Sequence, residues 1–97
     1  MALIPIRYAD FYDVPRVFAL EHRGSLYVFN CPFDEAQDDY PDSYTIYQIA
    51  GAKLPEGALS WADLIRAGRE VGTRRVSEVR FDPSRRNSID ESGLPAA

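Results

Sequence analysis

The stretch Arg16–Asn30, which reads RVFALEH-RG-SLYVFN, decides the fold of this chain. An apolar run lies on each side of the pair Arg23-Gly24. Because Gly24 can adopt a positive φ without steric cost, the pair predicts a tight hairpin between two strands. The run Leu26–Phe29 is apolar without alternation, which is typical of a central strand covered on both faces. The sequence therefore predicts a β-hairpin inside an antiparallel sheet.

Further strands and one helix are predicted on both sides of this hairpin. The predicted strands are Leu3–Tyr8, Arg16–His22, Ser25–Asn30, Tyr44–Ile49 and Arg75–Phe81. Ser60 is a favourable N-cap, and Trp61, Leu64 and Ile65 have the i, i+3, i+4 spacing of an amphipathic helix. This short helix is expected to end within Gly68–Gly72, where glycine recurs.

The order of these elements predicts an α+β fold. We expect a small antiparallel sheet, or a partly open barrel, of about five strands with one short helix before the last strand. The length of 97 residues fits a single domain. Residues 1–86 are expected to form it, and the polar residues 87–97 are expected to form a flexible C-terminal tail.

Composition favours some compartments and partners over others. The net charge of −4 argues against a general nucleic-acid-binding protein, which needs a basic face toward phosphate. Cys31 is the single cysteine and cannot form an internal disulfide, so a reducing compartment is expected. The sequence contains no apolar run of membrane-spanning length and no signal-peptide pattern. These features predict a cytoplasmic protein without a membrane partner.

The sequence contains no pattern that indicates catalysis, a cofactor or a metal. One cysteine and one histidine cannot supply the usual zinc ligands, and no phosphate-binding glycine motif is present. The predicted hairpin places His22 and Cys31 roughly 20 Å apart, at about 3.3 Å per strand residue. A Cys–His dyad is therefore not expected, and we predict no catalytic residue, no cofactor, no metal site and no enzymatic activity.

An acidic loop follows the hairpin. It holds five carboxylates within the nine positions from Asp34 to Asp42, together with two aromatic residues. Such a loop can be merely solvated, or it can bind a divalent cation, although the EF-hand spacing is absent. The combination of charge and aromatic side chains is also typical of a docking surface. The residues predicted to bind a partner are Phe33, Asp34, Glu35, Asp38, Asp39, Tyr40 and Asp42.

Arginines are concentrated near the predicted last strand. Intramolecular pairing with nearby carboxylates is one interpretation of them, and a patch that binds phosphate or an acidic partner is the other. The residues of this alternative basic patch are Arg74, Arg75, Arg80, Arg85 and Arg86.

These features together predict a non-catalytic protein-binding domain of the inhibitor, antitoxin or immunity type. The acidic aromatic loop would attract a basic partner and bury Phe33 or Tyr40 as an anchor. Self-association, with the acidic loop of one copy against the arginines of another, is a variant of this hypothesis. The alternative is a small-barrel module that binds a nucleic acid or another ligand through the arginines.

Overall fold

The predicted hairpin lies at the centre of the structure, a computed structural model that describes residues 3–51, 61–82 and 87–94. The strands in these ranges are β1 (Leu3–Pro5), β2 (Arg7–Tyr12), β3 (Val14–His22), β4 (Ser25–Asn30), β5 (Ser43–Ala50), β6 (Arg69–Arg75) and β7 (Ser88–Asp90). The helical segments are α1 (Trp61–Ala67) and two 3₁₀ turns, Val76–Glu78 and Glu91–Gly93.

Strands β3 and β4 form the hairpin that the sequence predicts. They pair antiparallel and meet at His22 opposite Ser25. The two turn residues, Arg23 and Gly24, both have positive φ angles, 51° and 81°. This is the pattern of a type I′ turn, whose twist matches that of the flanking strands. The hairpin prediction is confirmed at the predicted residues.

The central sheet is open and entirely antiparallel, with the strand order β2-β3-β4-β5-β6. Strands β1 and β7 form a separate two-stranded antiparallel sheet. Of the two predicted architectures the structure has the sheet, because its outer strands β2 and β6 do not close a barrel. The α+β class is only partly correct: the described residues are mostly strand, with one short α-helix.

Apolar clusters cover both faces of the hairpin. The buried residues of the larger cluster are Ile6, Phe18, Leu20, Phe29, Cys31, Tyr44, Ile46, Val79 and Ile89. The buried residues of the smaller cluster, on the other face, are Ala19, Leu26 and Val28. Strand β4 contributes to both clusters, so it is a central strand covered on both faces, as its sequence predicts.

Helix α1 covers the smaller cluster. Leu64 and Ile65 of the predicted apolar stripe pack against it. The helix ends one residue before Gly68, where a Cβ atom would lie only 3.0 Å from the Cβ of Tyr47. Glycine is therefore the residue that lets the chain pass this close to β5 and begin β6. The predicted N-cap, Ser60, lies outside the described residues.

The strand after the helix begins earlier than predicted. The prediction of a strand over Arg75–Phe81 is wrong for most of that range, because β6 covers Arg69–Arg75 and a 3₁₀ turn follows at Val76–Glu78. As an edge strand β6 is largely exposed, so its sequence lacks the apolar alternation on which the prediction rested.

The first predicted strand is divided in two. Strand β1 ends at Pro5, which has no N–H for a ladder, and β2 begins at Arg7. Between them Ile6 is buried, and its backbone N–H donates to the carbonyl oxygen of Asn87 at 2.9 Å. The chain thus passes from the two-stranded sheet to the central sheet at Ile6.

The structure also differs from the expected C-terminal tail. Residues 88–90 form β7, in which Ile89 pairs with Ile4 and has no exposed surface. Strand alternation places Ser88 and Asp90 on the other side of β7, so Ile89 is the residue of this strand that reaches the core, and backbone hydrogen bonds to β1, Arg80 and Asp82 hold the rest. The packed part of the chain therefore extends beyond residue 86.

This attachment makes Ile89 a test of the fold. We expect Ile89→Ala to lower the free energy of unfolding by about 2–5 kcal/mol, because it opens a cavity in the larger cluster. Leu3→Ala, at a position on β1 that is 51% exposed, is the matched control and should cost less than about 1 kcal/mol. Urea denaturation of both variants measures the difference. Equal, small losses would mean that residues 88–90 do not pack on the domain.

Candidate functional site

The candidate site is built around the guanidinium of Arg16, near the start of β3. Arg16 is only 8% exposed. Its Nη2 and Nε donate to Asp13 Oδ1 at 2.8 and 3.1 Å, and its Nη1 donates to the Pro41 carbonyl oxygen at 3.1 Å. Its Nη1 also lies 3.6 Å from Cys31 Sγ, and its Cζ lies 4.9 Å from the ring centroid of Tyr40. We call these five residues the Arg16 cluster.

Arg16 remains charged in this cluster. Burial lowers the pKa of the guanidinium, but the hydrogen bonds with Asp13 and Cys31 more than offset it, and the net shift is upward. A cation so far removed from water needs hydrogen-bond acceptors: Asp13 accepts from Nε and Nη2, and the Pro41 carbonyl oxygen and Cys31 Sγ accept from Nη1. The cluster therefore ties the acidic loop to the beginning of β3.

Cys31 is a structural thiol of the same cluster. Its Sγ donates to the Pro41 carbonyl oxygen at 3.2 Å, and its backbone N–H donates to the Arg16 carbonyl oxygen at 2.8 Å. Burial raises the pKa of the thiol, and the nearby Arg16 only partly opposes this shift. The thiol is thus protonated at neutral pH, which is not the state of an activated nucleophile.

The separation of His22 and Cys31 is confirmed. His22 pairs with Ser25 at the turn end of the hairpin, and Val17 pairs with Asn30, next to Cys31, at the other end. The two side chains therefore lie at opposite ends of the paired strands and cannot form a dyad.

The acidic loop (residues 33–42) folds into a small turn held by its own carboxylates. Asp34 and Asp39 form an isolated antiparallel bridge, with N···O distances of 2.9 and 3.3 Å. Asp34 Oδ1 accepts from the backbone N–H of Ala36 at 3.0 Å, and Asp39 Oδ1 accepts from that of Tyr40 at 2.7 Å. Asp38 has a φ of 53°, a value that aspartate tolerates better than most residues. Two of the predicted docking carboxylates therefore also shape the loop.

The two loop aromatics have different environments. Phe33 is 45% exposed, whereas Tyr40 is half-buried and packs against the larger cluster. Their rings meet edge to face, 5.3 Å apart, and the second neighbour of Tyr40 is the guanidinium of Arg16. The Tyr40 ring therefore packs against the buried side of Phe33, and Phe33 is the more exposed aromatic of the pair.

A cleft of about 490 Å³ opens beside the acidic loop. Its lining residues are Asp13, Arg16, Asp39, Tyr40, Pro41, Asp42, Arg75, Val76 and Ser77. The backbone N–H of Val76 donates to the Asp42 carbonyl oxygen at 2.7 Å and joins the two sides. The cleft thus lies between the acidic loop and the end of β6, and it brings carboxylates and guanidinium groups together.

Three of the five residues of the alternative basic patch lie within the described part of the chain, at and after the end of β6. Arg74 and Arg75 end β6, and the Arg74 guanidinium donates to the carbonyl oxygens of Thr73 and Leu94. Arg80 is exposed beyond the 3₁₀ turn. The remaining two members, at positions 85 and 86, lie outside the described residues. Among the three described members of the patch, Arg75 is the one that lines the cleft with the acidic loop.

Sequence reasoning did not identify Asp13 and Arg16 as site residues. Arg16 stands next to Pro15 at the start of an apolar strand, where an arginine is ordinarily exposed. The available signal was a charge inside an otherwise apolar run, which indicates that the chain must supply a counter-charge.

Comparison with protein-family models, curated proteins and solved structures found no match. Among the described residues, no three His, Cys, Asp or Glu side chains are grouped so as to hold a metal ion. No helix within those residues is long and apolar enough to cross a bilayer. The acidic loop, the cleft and the Arg16 cluster are therefore the features of this chain that bear on its function.

The Arg16 cluster can be tested against a matched ion pair. Arg16→Met should lower the free energy of unfolding by about 1–3 kcal/mol, because Asp13, the Pro41 carbonyl oxygen and Cys31 each lose a hydrogen bond from the guanidinium. Arg66 pairs with Asp63 at the same i, i+3 spacing, but both side chains are largely exposed, so Arg66→Met should cost little. Chemical denaturation of the two variants measures both losses. Losses of the same size would show that burial of Arg16 does not matter to stability.

The shifted pKa of Cys31 predicts a pH dependence of stability. Below the ordinary pKa of 9.0 the thiol is protonated in both the folded and the unfolded state. Above it the unfolded thiol loses its proton first, so stability falls as the pH rises toward the folded pKa, by up to about 1.4 kcal/mol per pH unit. Cys31→Ser keeps a donor for Pro41 without a titrating thiol and should show a shallower decline. Denaturation midpoints between pH ~8 and ~10.5 measure it, and parallel curves would contradict the assignment.

Proposed function

We propose that this chain is a non-catalytic protein-binding domain of the inhibitor, antitoxin or immunity type, which docks a basic partner protein through its acidic loop. The observation that carries this proposal is the exposed ring of Phe33 on a carboxylate-rich turn that the Arg16 cluster holds in place. The cytoplasm is the expected location, since Cys31 is a buried free thiol.

The charge of the loop supports attraction of a basic partner. Glu35, Asp38, Asp39 and Asp42 are all exposed, and Asp34 is half-buried. Several like charges on one turn add their potentials and accelerate the encounter with a surface of opposite sign. Such steering weakens with ionic strength, which gives the proposal a measurable signature.

The order of the loop supports binding without a large entropic loss. The Asp34–Asp39 bridge, the Asp34 and Asp39 side-chain hydrogen bonds, and the two bonds to the Pro41 carbonyl oxygen hold the backbone. A surface that is already in its bound conformation loses less freedom on association. The loop therefore has the preorganisation expected of an inhibitor-type surface.

Phe33 is the proposed anchor. A partly exposed aromatic ring that packs on another ring buries its remaining apolar area when a partner covers it. Aromatic anchors contribute a large share of the binding energy at interfaces. Tyr40 has less exposed area left to bury, because its ring already contacts Phe33 and Arg16. Of the two anchors that the sequence suggests, the proposal uses Phe33.

The test is capture of a partner by charge-matched variants. Glu35→Lys with Asp42→Lys reverses two loop charges and leaves intact the side chains of Asp34 and Asp39, which hold the turn. Glu21→Lys with Glu70→Lys makes the same change in net charge on exposed positions of β3 and β6. Quantitative mass spectrometry after affinity capture from native lysate compares the wild type, both double variants and Phe33→Ala.

We expect a basic protein that the wild type and the Glu21/Glu70 variant capture. The Glu35/Asp42 variant should bind it at least about tenfold more weakly, and capture by the wild type should fall with salt. Phe33→Ala should weaken binding by about 2 kcal/mol or more, the size expected for an aromatic anchor. Equal loss in both double variants, or a partner that is not basic, would contradict docking through the acidic loop.

A further inference from the structure

The cleft beside the acidic loop carries charges of both signs. Asp39 and Asp42 line it from the loop, and Arg75 lines it from the end of β6. Arg75 is exposed, and it takes part in neither of the two ion pairs formed among the described residues, Arg16–Asp13 and Arg66–Asp63. This cleft is therefore not a purely acidic surface.

We propose that Arg75 is a specificity-determining residue, which selects a partner that presents a carboxylate beside its basic side chain. This inference rests on the proposed function, since it concerns the same docking surface. The partner is thus a protein whose basic patch is interrupted by an aspartate or glutamate.

The two arginines of the cleft have different electrostatic states. Arg16 is buried, its charge is compensated by Asp13, and its Nε, Nη1 and Nη2 each donate to Asp13 or Pro41. The backbone N–H of Arg75 donates to the Glu78 carboxylate at 3.0 Å, and the exposed Arg75 guanidinium adds a positive charge to the cleft. Arg75 is therefore the lining arginine that a docked partner has to accommodate.

A partner with only basic side chains would meet Arg75 at a cost. Bringing like charges together at an interface is unfavourable, and it becomes more so as water is excluded. A carboxylate at that point reverses the sign of the interaction, because guanidinium and carboxylate groups form charge-assisted and often bidentate hydrogen bonds. A repulsive element against wrong partners combined with an attractive one for the right partner is how interfaces obtain specificity.

The sign of the effect of Arg75→Ala separates this inference from simple steering. If Arg75 only opposes a basic partner, its removal strengthens binding. If Arg75 pairs with a carboxylate of the partner, its removal weakens binding. Arg69→Ala is the matched control, because Arg69 is an exposed arginine at the other end of the same strand.

The experiment uses synthetic peptides as probes and fluorescence anisotropy at low ionic strength. One peptide carries lysines separated by neutral residues, and a companion set has a single glutamate at each neutral position in turn. We expect one or more glutamate peptides to bind the wild type about tenfold more tightly than the lysine peptide, in spite of their lower net charge. Arg75→Ala should abolish this preference, and Arg69→Ala should retain it.

Each other outcome contradicts a defined part of the account. If the lysine peptide binds and no glutamate position improves binding, the proposed function stands and the role of Arg75 is wrong. If no peptide binds, the proposed function and this inference fail together. If sedimentation of the protein alone shows a dimer that Arg75→Ala dissociates, the occupant of the cleft is a second copy and the inferred partner is wrong.

Discussion

The buried guanidinium of Arg16 is the constraint on which the candidate site depends. A cation that is almost removed from water must keep its hydrogen-bond partners, because an unpaired charge in the interior is far more costly than any single contact it replaces. Here the partners come from three places in the chain: Asp13 before β3, Cys31 after β4, and Pro41 in the acidic loop. Pairing Arg16 therefore fixes where the loop leaves the sheet.

The position of the loop follows from this constraint, and so does its chemistry. Tyr40 is held between Arg16 and Phe33, so the Phe33 ring is supported at the surface. The thiol of Cys31 is protonated and occupied by the Pro41 carbonyl oxygen, so it stabilises the loop instead of reacting. The groups of the site thus form one surface that combines carboxylates, one exposed aromatic ring and one exposed arginine.

Local patterns predicted the parts of the fold that depend on neighbouring residues. The Arg23-Gly24 turn, the doubly covered strand β4 and the apolar stripe of the helix were all readable, since each is encoded within a few positions. The sequence did not predict strands β6 and β7 correctly. Strand β6 is an edge strand and β7 has one apolar residue, so each is determined by the distant strand with which it pairs. The acidic loop was found from composition, whereas its attachment to Arg16 joins positions 25 residues apart and leaves no local pattern.

If the Arg16 cluster holds the acidic loop in place, the loop is as ordered as the sheet that carries it. Backbone ¹⁵N relaxation of residues 33–42, compared with β3 and β4, tests it most directly. We expect order parameters of about 0.8 or higher throughout the loop, close to those of the strands. Values below about 0.6 at Asp34, Asp39 and the residues flanking Pro41 would show a flexible loop that the Arg16 cluster does not hold.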